Sequence, residues 1–244
     1  MTMKLHRFFC ENIAPEIITL DAEESHHLCV LRLDREGQEV EIFDGAGNHR
    51  IAEVLPARKG ENVTLAPMTP VQKDLPLAPR ITLAISLPKG ERQDTIVQMC
   101  QELALTKLIP MVCERSLPGE LKMRGRLTRW RRIAVSAAKQ SGVNFLTEIT
   151  APLAFRRVIE LAKDFSLSLI FTPRGSAPLI QTLRDRIGLS SILFLIGPEG
   201  DFTNAELKEA RDRGFISVSM PLPVLRVETA AVSALTLLRS LAKV

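Results

Sequence analysis

The chain has 244 residues, 45% hydrophobic and 25% charged, with 32 basic against 28 acidic side chains and a net charge of +4. That balance suits one or two globular domains with a buried core and excludes a disordered chain. No apolar run approaches the roughly 20 residues of a membrane helix. The N-terminal "MTMKLHRFFCENIAPEIITL" lacks a signal-peptide core, and Cys10, Cys29, Cys100 and Cys113 form no Cys-x-x-Cys pair. The expectation is a cytoplasmic chain with reduced thiols, no metal site and no membrane partner.

Residues 1 to about 70 read as strands and turns. In "EVEIFDGAGNHRIAEVL", Val40, Ile42 and Ile51 alternate with polar residues on either side of Asp44-Gly45-Ala46-Gly47, a hairpin signal. "VTLAPM" is a further strand. "TPVQKDLPLAPR" then holds Pro70, Pro76 and Pro79, which resist helix and sheet alike and mark a linker.

Beyond the linker the periodicity changes. "ITLAISL" is a buried strand; "ERQDTIVQMCQELAL" sets Ile96, Cys100, Leu103 and Ala104 at helical spacing; "KLIPMVC" is a second strand. "RLTRWRRIAVSAAKQSG" puts Leu127, Trp130, Ile133 and Ala137 on one helical face and arginines on the other, with Gly142 as a stop. "LAFRRVIELAKDF" is a helix, "SLSLIFT" a strand and "APLIQTLRDRIG" a short helix. Strands alternating with helices imply a parallel sheet covered on both faces. From Arg115 to Lys139 stand eight basic residues against one acidic, Glu120. This +7 segment is either a polyanion-binding face or a solvated helix face.

Two strand–loop–helix units close the chain. "SILFLI" has the length and content of a central strand and runs into Gly197-Pro198-Glu199-Gly200, after which Thr203 and Glu206 form a capping box that starts a helix near Asn204. "FISVSM" is the last strand, and "PLPVLRVETAAVSALTLLRSLAKV" a stiff loop feeding the last helix, with Arg226 and Glu228 just before it and Thr229 as a possible N-cap. Arg226 and Glu228 also have a bland reading as a surface ion pair. In open parallel sheets ligands bind beyond the carboxyl ends of strands, and glycine there lets a ligand approach the main chain. There is no Gly-x-Gly-x-x-Gly, no Gly-x-x-x-x-Gly-Lys and no His-Glu-x-x-His, so dinucleotide, triphosphate and zinc-hydrolase sites are unsupported.

"LIGPEGDFTNAEL" followed by "LPVLRVETAAVSAL" closely resembles the RsmE family of ribosomal RNA methyltransferases, within the SPOUT superfamily. "SLPKGERQDTIVQMCQELALTKLIPMVCERS", "RWRRIAVSAAKQSG" and "SHHLCVLRL" resemble that family's earlier motifs, so the likeness spans nearly the whole chain in order. It implies a PUA-like β-barrel over residues 1–72 and an α/β domain with a trefoil-knotted parallel sheet over 73–244. It further implies S-adenosylmethionine as cofactor, a homodimer, and methylation of uridine nitrogen 3 in 16S (small-subunit) ribosomal RNA, free or in the assembled subunit.

Carried onto this sequence, the knot loops are Thr172-Pro173-Arg174, Ile196 to Gly200 and Leu222 to Arg226. The cofactor-binding residues are then Thr172, Pro173, Ile196, Gly197, Pro198, Glu199, Gly200, Leu222, Val224, Leu225 and Arg226. The family more often has glycine at Asp201, Gly-Pro-Arg or similar at Pro221-Leu222-Pro223 and threonine at Val227. Methyl transfer from a sulfonium needs no metal. Glu228 is the expected base for the N3 proton and Arg226 the stabiliser of charge on the uracil oxygens. Arg129, Arg132 and Lys139, with Arg7, His27 and Arg32, are the expected RNA contacts. The competing readings are a knotted methyltransferase of another RNA such as tRNA, a non-catalytic RNA-binding or assembly factor, and an enzyme of a small acidic metabolite.

Overall fold

The computed structural model describes residues 5–56, 60–116, 125–173, 177–184 and 186–241. These fall into two units, one of Met1–Pro76 with Val135–Leu146, the other of Leu77–Ala134 with Thr147–Val244. Residues 135–146 group with the first unit.

In the first unit, β1 (Arg7–Phe9), β2 (Ile18–Thr19), α1 (Ala22–Val30), β3 (Glu39–Phe43), β4 (Asn48–Val54), β5 (Thr64–Pro67) and β6 (Gln72–Lys73) follow one another. The strands make one sheet in the order β1-β3-β4-β5-β2, with β6 paired to β4. Only β1–β3 is parallel. Phe8, Leu28, Val40, Ile42, Ala52, Val54 and Leu65 fill its core. In the β3–β4 turn, the Asp44 carboxylate accepts from the amides of Ala46 (2.7 Å) and Asn48 (3.1 Å). Gly47 has φ +96°, and a Cβ there would stand 2.3 Å from the Phe145 ring, so the turn needs glycine twice over. Helix α1 corrects the expectation of strands and turns alone. Asp21 caps it by accepting from the Glu24 amide at 2.8 Å.

The second unit comprises β7 (Arg80–Ile85), α2 (Arg92–Glu102), β8 (Lys107–Val112), α3 (Leu127–Ser141, whose residues from Val135 belong to the first unit), β9 (Glu148–Ile149), β10 (Leu153–Ala154), α4 (Phe155–Ile159), a 3-10 turn (Glu160–Asp164), β11 (Leu167–Phe171), β12 (Ala177–Pro178), α5 (Leu179–Arg184), β13 (Ser191–Ile196), α6 (Asn204–Asp212), β14 (Ile216–Ser219) and α7 (Val227–Leu241). Every pair in its sheet is parallel. The order is β10-β8-β7-β13-β11-β14-β12, with β9 on β8.

The central strands β7, β11 and β13 are buried almost throughout because both faces of the sheet are covered. Ile192, Phe194 and Ile196 of β13 join the core that holds Ile96, Cys100, Trp130, Leu179, Ala231 and Leu235, whereas Leu193 and Leu195 join Phe155, Val158, Phe202 and Ala210. Trp130 is completely buried, a core residue as its spacing predicts. Near the end of α7, buried Arg239 donates to the carbonyls of Pro79 (2.7 Å), Leu103 (3.3 Å) and Ala104, fastening α7 to the end of α2 and the start of β7. Among the described residues no helix is long and apolar enough to cross a membrane.

Candidate functional site

The register of the sheet builds the site. Phe171 at the end of β11 lies opposite Ile196 at the end of β13 and Val218 near the end of β14. Three neighbouring strands therefore stop together, and the loops leaving them surround one cavity of about 650 Å3, a size ordinary for a small-molecule site. Phe171, Ile196, Met220, Val227 and Ala230 give it apolar walls, while Thr172, Glu199, Asp201, Arg92 and Arg226 bring polar and charged groups.

Ten of the eleven cofactor residues expected from the sequence line this cavity: Thr172, Pro173, Ile196, Gly197, Pro198, Glu199, Leu222, Val224, Leu225 and Arg226. Gly200 is not among its lining residues; its carbonyl accepts from Arg115 Nη1 at 2.7 Å. Arg174 lies outside the described residues. Gly197 has a packing reason as well as an access reason, since a Cβ there would sit 2.9–3.2 Å from the Phe202 ring.

The loop after β13 is held from several sides. The Glu206 carboxylate accepts from the amides of Thr203 (2.8 Å) and Glu114 (2.9 Å), so the capping box of α6 also ties down the turn after β8. Asp201 stands at φ +58°, left-handed backbone that favours glycine. Its side chain compensates by accepting from Thr172 Oγ1 (2.7 Å) and the Phe202 amide (2.8 Å), which links the loops after β11 and β13. Asp201 thus supplies a cross-brace that glycine, the residue best suited to this backbone, cannot.

The two expected catalytic residues are placed differently. Arg226 is exposed and lines the cavity. Glu228 is not among the lining residues; it sits in the first turn of α7, because that helix begins at Val227 rather than at a Thr229 cap, and the Ala230 amide donates to the Arg226 carbonyl at 2.8 Å. Glu228 does not pair with Arg226. Its Oε2 is buried without a hydrogen-bond partner, 3.8 Å from Nη1 of Arg92, which itself bonds Glu199 Oε1 at 2.8 Å. Arg92 at the start of α2 is the residue that sequence reasoning missed; its position before an amphipathic helix reads as solvated charge.

Several expected RNA contacts are otherwise engaged. Arg7 is buried, not displayed: its guanidinium donates to the Ala138 carbonyl (2.7 Å) and to Asn144 Oδ1, pairs with Glu41 (3.3 Å) and covers the Phe43 ring. Lys139 is tied to the buried carboxylate of Glu24 at 2.7 Å. Burial and then nearby Lys139 hold the imidazole of His27 below its ordinary range, so His27 carries little charge at neutral pH. Arg32 is exposed at the end of α1, at φ +58°. Arg129 is exposed but paired through two nitrogens with Asp94 (2.6 and 3.0 Å), and the carboxylate raises its pKa. Arg132 is exposed.

In the +7 segment Arg129 is paired with Asp94 and Lys139 with Glu24; Arg115 and Arg126 keep their charges while bonding the Gly200 carbonyl and the Gln93 side chain, and Lys122, Arg124 and Glu120 lie outside the described residues.

A family described as an RNA methyltransferase domain matches residues 74–239. Ribosomal RNA small subunit methyltransferase E of Synechocystis sp. is 34% identical over 236 residues, covering 95% of this chain and 75% of that protein. The protein of the same name from Bacillus subtilis is 25% identical, over 95% of each. Among solved structures, ribosomal RNA small subunit methyltransferase E from Neisseria gonorrhoeae bound to S-adenosyl methionine matches with a TM-score of 0.86 at 27% identity over 98% of both chains. A Legionella pneumophila methyltransferase in complex with SAM matches with a TM-score of 0.86 at 26% identity, again over 98% of both.

Proposed function

Because the chain belongs to the ribosomal RNA small subunit methyltransferase E family, and is thus an S-adenosylmethionine-dependent methyltransferase of small-subunit ribosomal RNA, we propose that its target atom is nitrogen 3 of a uridine. The observation that carries this reading is the cavity where β13, β11 and β14 end together. Its lining fits a ligand that is part aromatic base and part charged amino acid: apolar walls from Phe171, Ile196 and Met220, and Glu199, Asp201, Arg92 and Arg226 among the polar groups. Loops with Gly197, Pro198, Pro173 and Pro223 hold that shape with little freedom to lose on binding. S-adenosylmethionine supplies a methyl group on a positively charged sulfur.

The chain's own residues then have to position the uracil and remove its N3 proton, which is present at neutral pH. Glu228 is the proposed proton acceptor, with Arg92 within ion-pair distance of its carboxylate. Arg226 is the proposed stabiliser of negative charge developing on the uracil oxygens, a role supported by its exposure and its position in the cavity lining. Holding nucleophile and methyl group in line supplies much of the rate enhancement.

The same reading assigns residues 1–72 to a PUA-like barrel and 73–244 to a SPOUT knot. Support for the knot comes from strand order, since late β13 lies between β7 and β11, and later β14 between β11 and β12. Leu222 and Val224, 51% and 85% exposed on a loop that lines the cavity, support a homodimer in which a second copy covers them. Arg32, Arg129 and Arg132 are the exposed arginines among the proposed RNA contacts; Arg7 acts inside the first unit.

Mass mapping of modified nucleosides tests the proposal. Small-subunit RNA from cells lacking the protein should lose one N3-methyluridine, regained with the wild-type chain and not with Glu228→Gln or Arg226→Ala. An unchanged modification map, or full restoration by Glu228→Gln, would refute the target or the base respectively.

A further inference from the structure

Two carboxylates compete for one guanidinium nitrogen. Arg92 Nη1 stands 2.8 Å from Glu199 Oε1 and 3.8 Å from Glu228 Oε2. Glu199 is largely exposed, its side chain 64% accessible, on the loop after β13; Glu228 is largely buried, at 15%. The better-solvated carboxylate thus holds the short bond, while the buried one keeps an oxygen with no hydrogen-bond partner. An ionised group buried without a partner is costly, so this arrangement leaves a force drawing Arg92 towards Glu228.

Among the described residues Arg92 is the one cation within ion-pair distance of Glu228. Asp94 is occupied by Arg129, Arg126 bonds Gln93, and Arg226 has no ion pair to Glu228 among the described residues. Arg92 also lines the cavity, as Glu199 does and Glu228 does not.

We propose that Arg92 is a positioning residue for the methyl-transfer reaction, resting on Glu199 and passing to Glu228, which it orders for proton abstraction. Occupation of the cavity disturbs the exposed Arg92–Glu199 bond, and the released guanidinium closes the remaining gap to Glu228. Glu199 is then a resting partner that limits how often Glu228 is ready. This inference rests on the proposed role of Glu228, and its test separates the two.

The test is a double-mutant cycle read in kcat, with cofactor affinity by calorimetry and melting temperature measured alongside. Arg92→Gln lowers kcat about 10-fold or more, and Arg92→Lys, which keeps a cation, recovers part of the loss. Glu228→Gln also lowers kcat, and the double variant is no worse than Glu228→Gln alone, since Arg92 acts through that carboxylate. Glu199→Gln, which removes the competitor, raises kcat in the wild-type background, and that gain is lost when Arg92 is already glutamine. A purely structural Arg92 would move melting temperature without this coupling in kcat. The inference is overturned if the Arg92 and Glu228 losses multiply independently, or if Arg92→Gln retains wild-type kcat while Glu228→Gln does not. Full activity in Glu228→Gln would instead remove the base assignment on which it stands.

Discussion

Gly197→Ala separates two reasons for a glycine at the mouth of a binding cavity. The added Cβ would lie 2.9, 3.0 and 3.2 Å from three carbons of the Phe202 ring, inside normal van der Waals contact. The ring has little room to retreat: Phe202 is 3% exposed and packs against Phe155 with ring centroids 5.8 Å apart. The Phe202 backbone is held too, through its amide on Asp201. Gly197 has no left-handed φ, so the cost is overpacking alone, of the order of 1–3 kcal/mol. In a protein of this size, ~2 kcal/mol corresponds to a fall in melting temperature of about 6 °C. Calorimetric melting of Gly197→Ala, Phe202→Leu and the double variant measures it. The smaller leucine makes room for the methyl, so the double variant should be more stable than the sum of the single losses predicts. If Gly197→Ala melts with the wild type yet loses S-adenosylmethionine affinity, the packing argument fails and the glycine serves ligand access alone.

Asp201→Ala keeps a side chain at φ +58° while losing the bonds to Thr172 and the Phe202 amide, and should cost about 2 kcal/mol in urea unfolding, with weaker cofactor binding by calorimetry. Arg7→Met should destabilise by about 3 kcal/mol, because Glu41, the Ala138 carbonyl and Asn144 lose a buried partner, and chemical denaturation should show it without any RNA present. His27 has a folded-state pKa below its unfolded value of 6.5, so its neutral form is the one that suits the fold. Stability should be complete above about pH 6.5 and fall as the pH drops from there through the folded pKa, and His27→Gln should flatten that part of the profile.

The parallel sheet was legible because burial on both faces leaves a compositional trace: "SILFLI" is apolar throughout after Ser191, and "ITLAISL" and "SLSLIF" interrupt their apolar runs only with small threonine and serine. The α6 start was legible from Thr203 and Glu206 because capping is local chemistry, three residues apart. Helix α1 was not, because the residues it buries are Glu24, Ser25 and Leu28, and periodicity looks for apolar side chains. Glu24 is buried because Lys139 lies 2.7 Å from it and the Phe9 amide bonds it, partners as far as 115 positions away. The same distance in sequence hid the fate of Arg7 and Lys139. Charge is visible in a sequence; its neutralisation by a remote partner is not. Arg92 escaped for the related reason that its two carboxylates, Glu199 on the loop after β13 and Glu228 in the first turn of α7, stand more than 100 residues later.

Strand order adds a consequence for how the site comes into being. Along the chain the cavity loops appear after β11, β13 and β14, but across the sheet they stand in the order β13, β11, β14. β13 lies between β7 and β11, pairing with β7 from Ser191 to Ile196 and with β11 from Ile192 to Ile196, and this is what brings the loop carrying Gly197 to Thr172 through Asp201. β14 likewise lies between β11 and β12, and α7 covers the core through Ala231, Leu235 and Leu238. The cavity is therefore absent from every arrangement in which either late strand is out of place. A ligand that binds only the completed cavity favours the finished sheet by RT ln(1 + [L]/Kd), about 2.7 kcal/mol at a hundredfold excess over Kd. Its effect should concentrate on amide exchange in β11, β13 and β14, because those strands open together when the site is lost, and should be weak in β3 and β4, whose hairpin closes on itself.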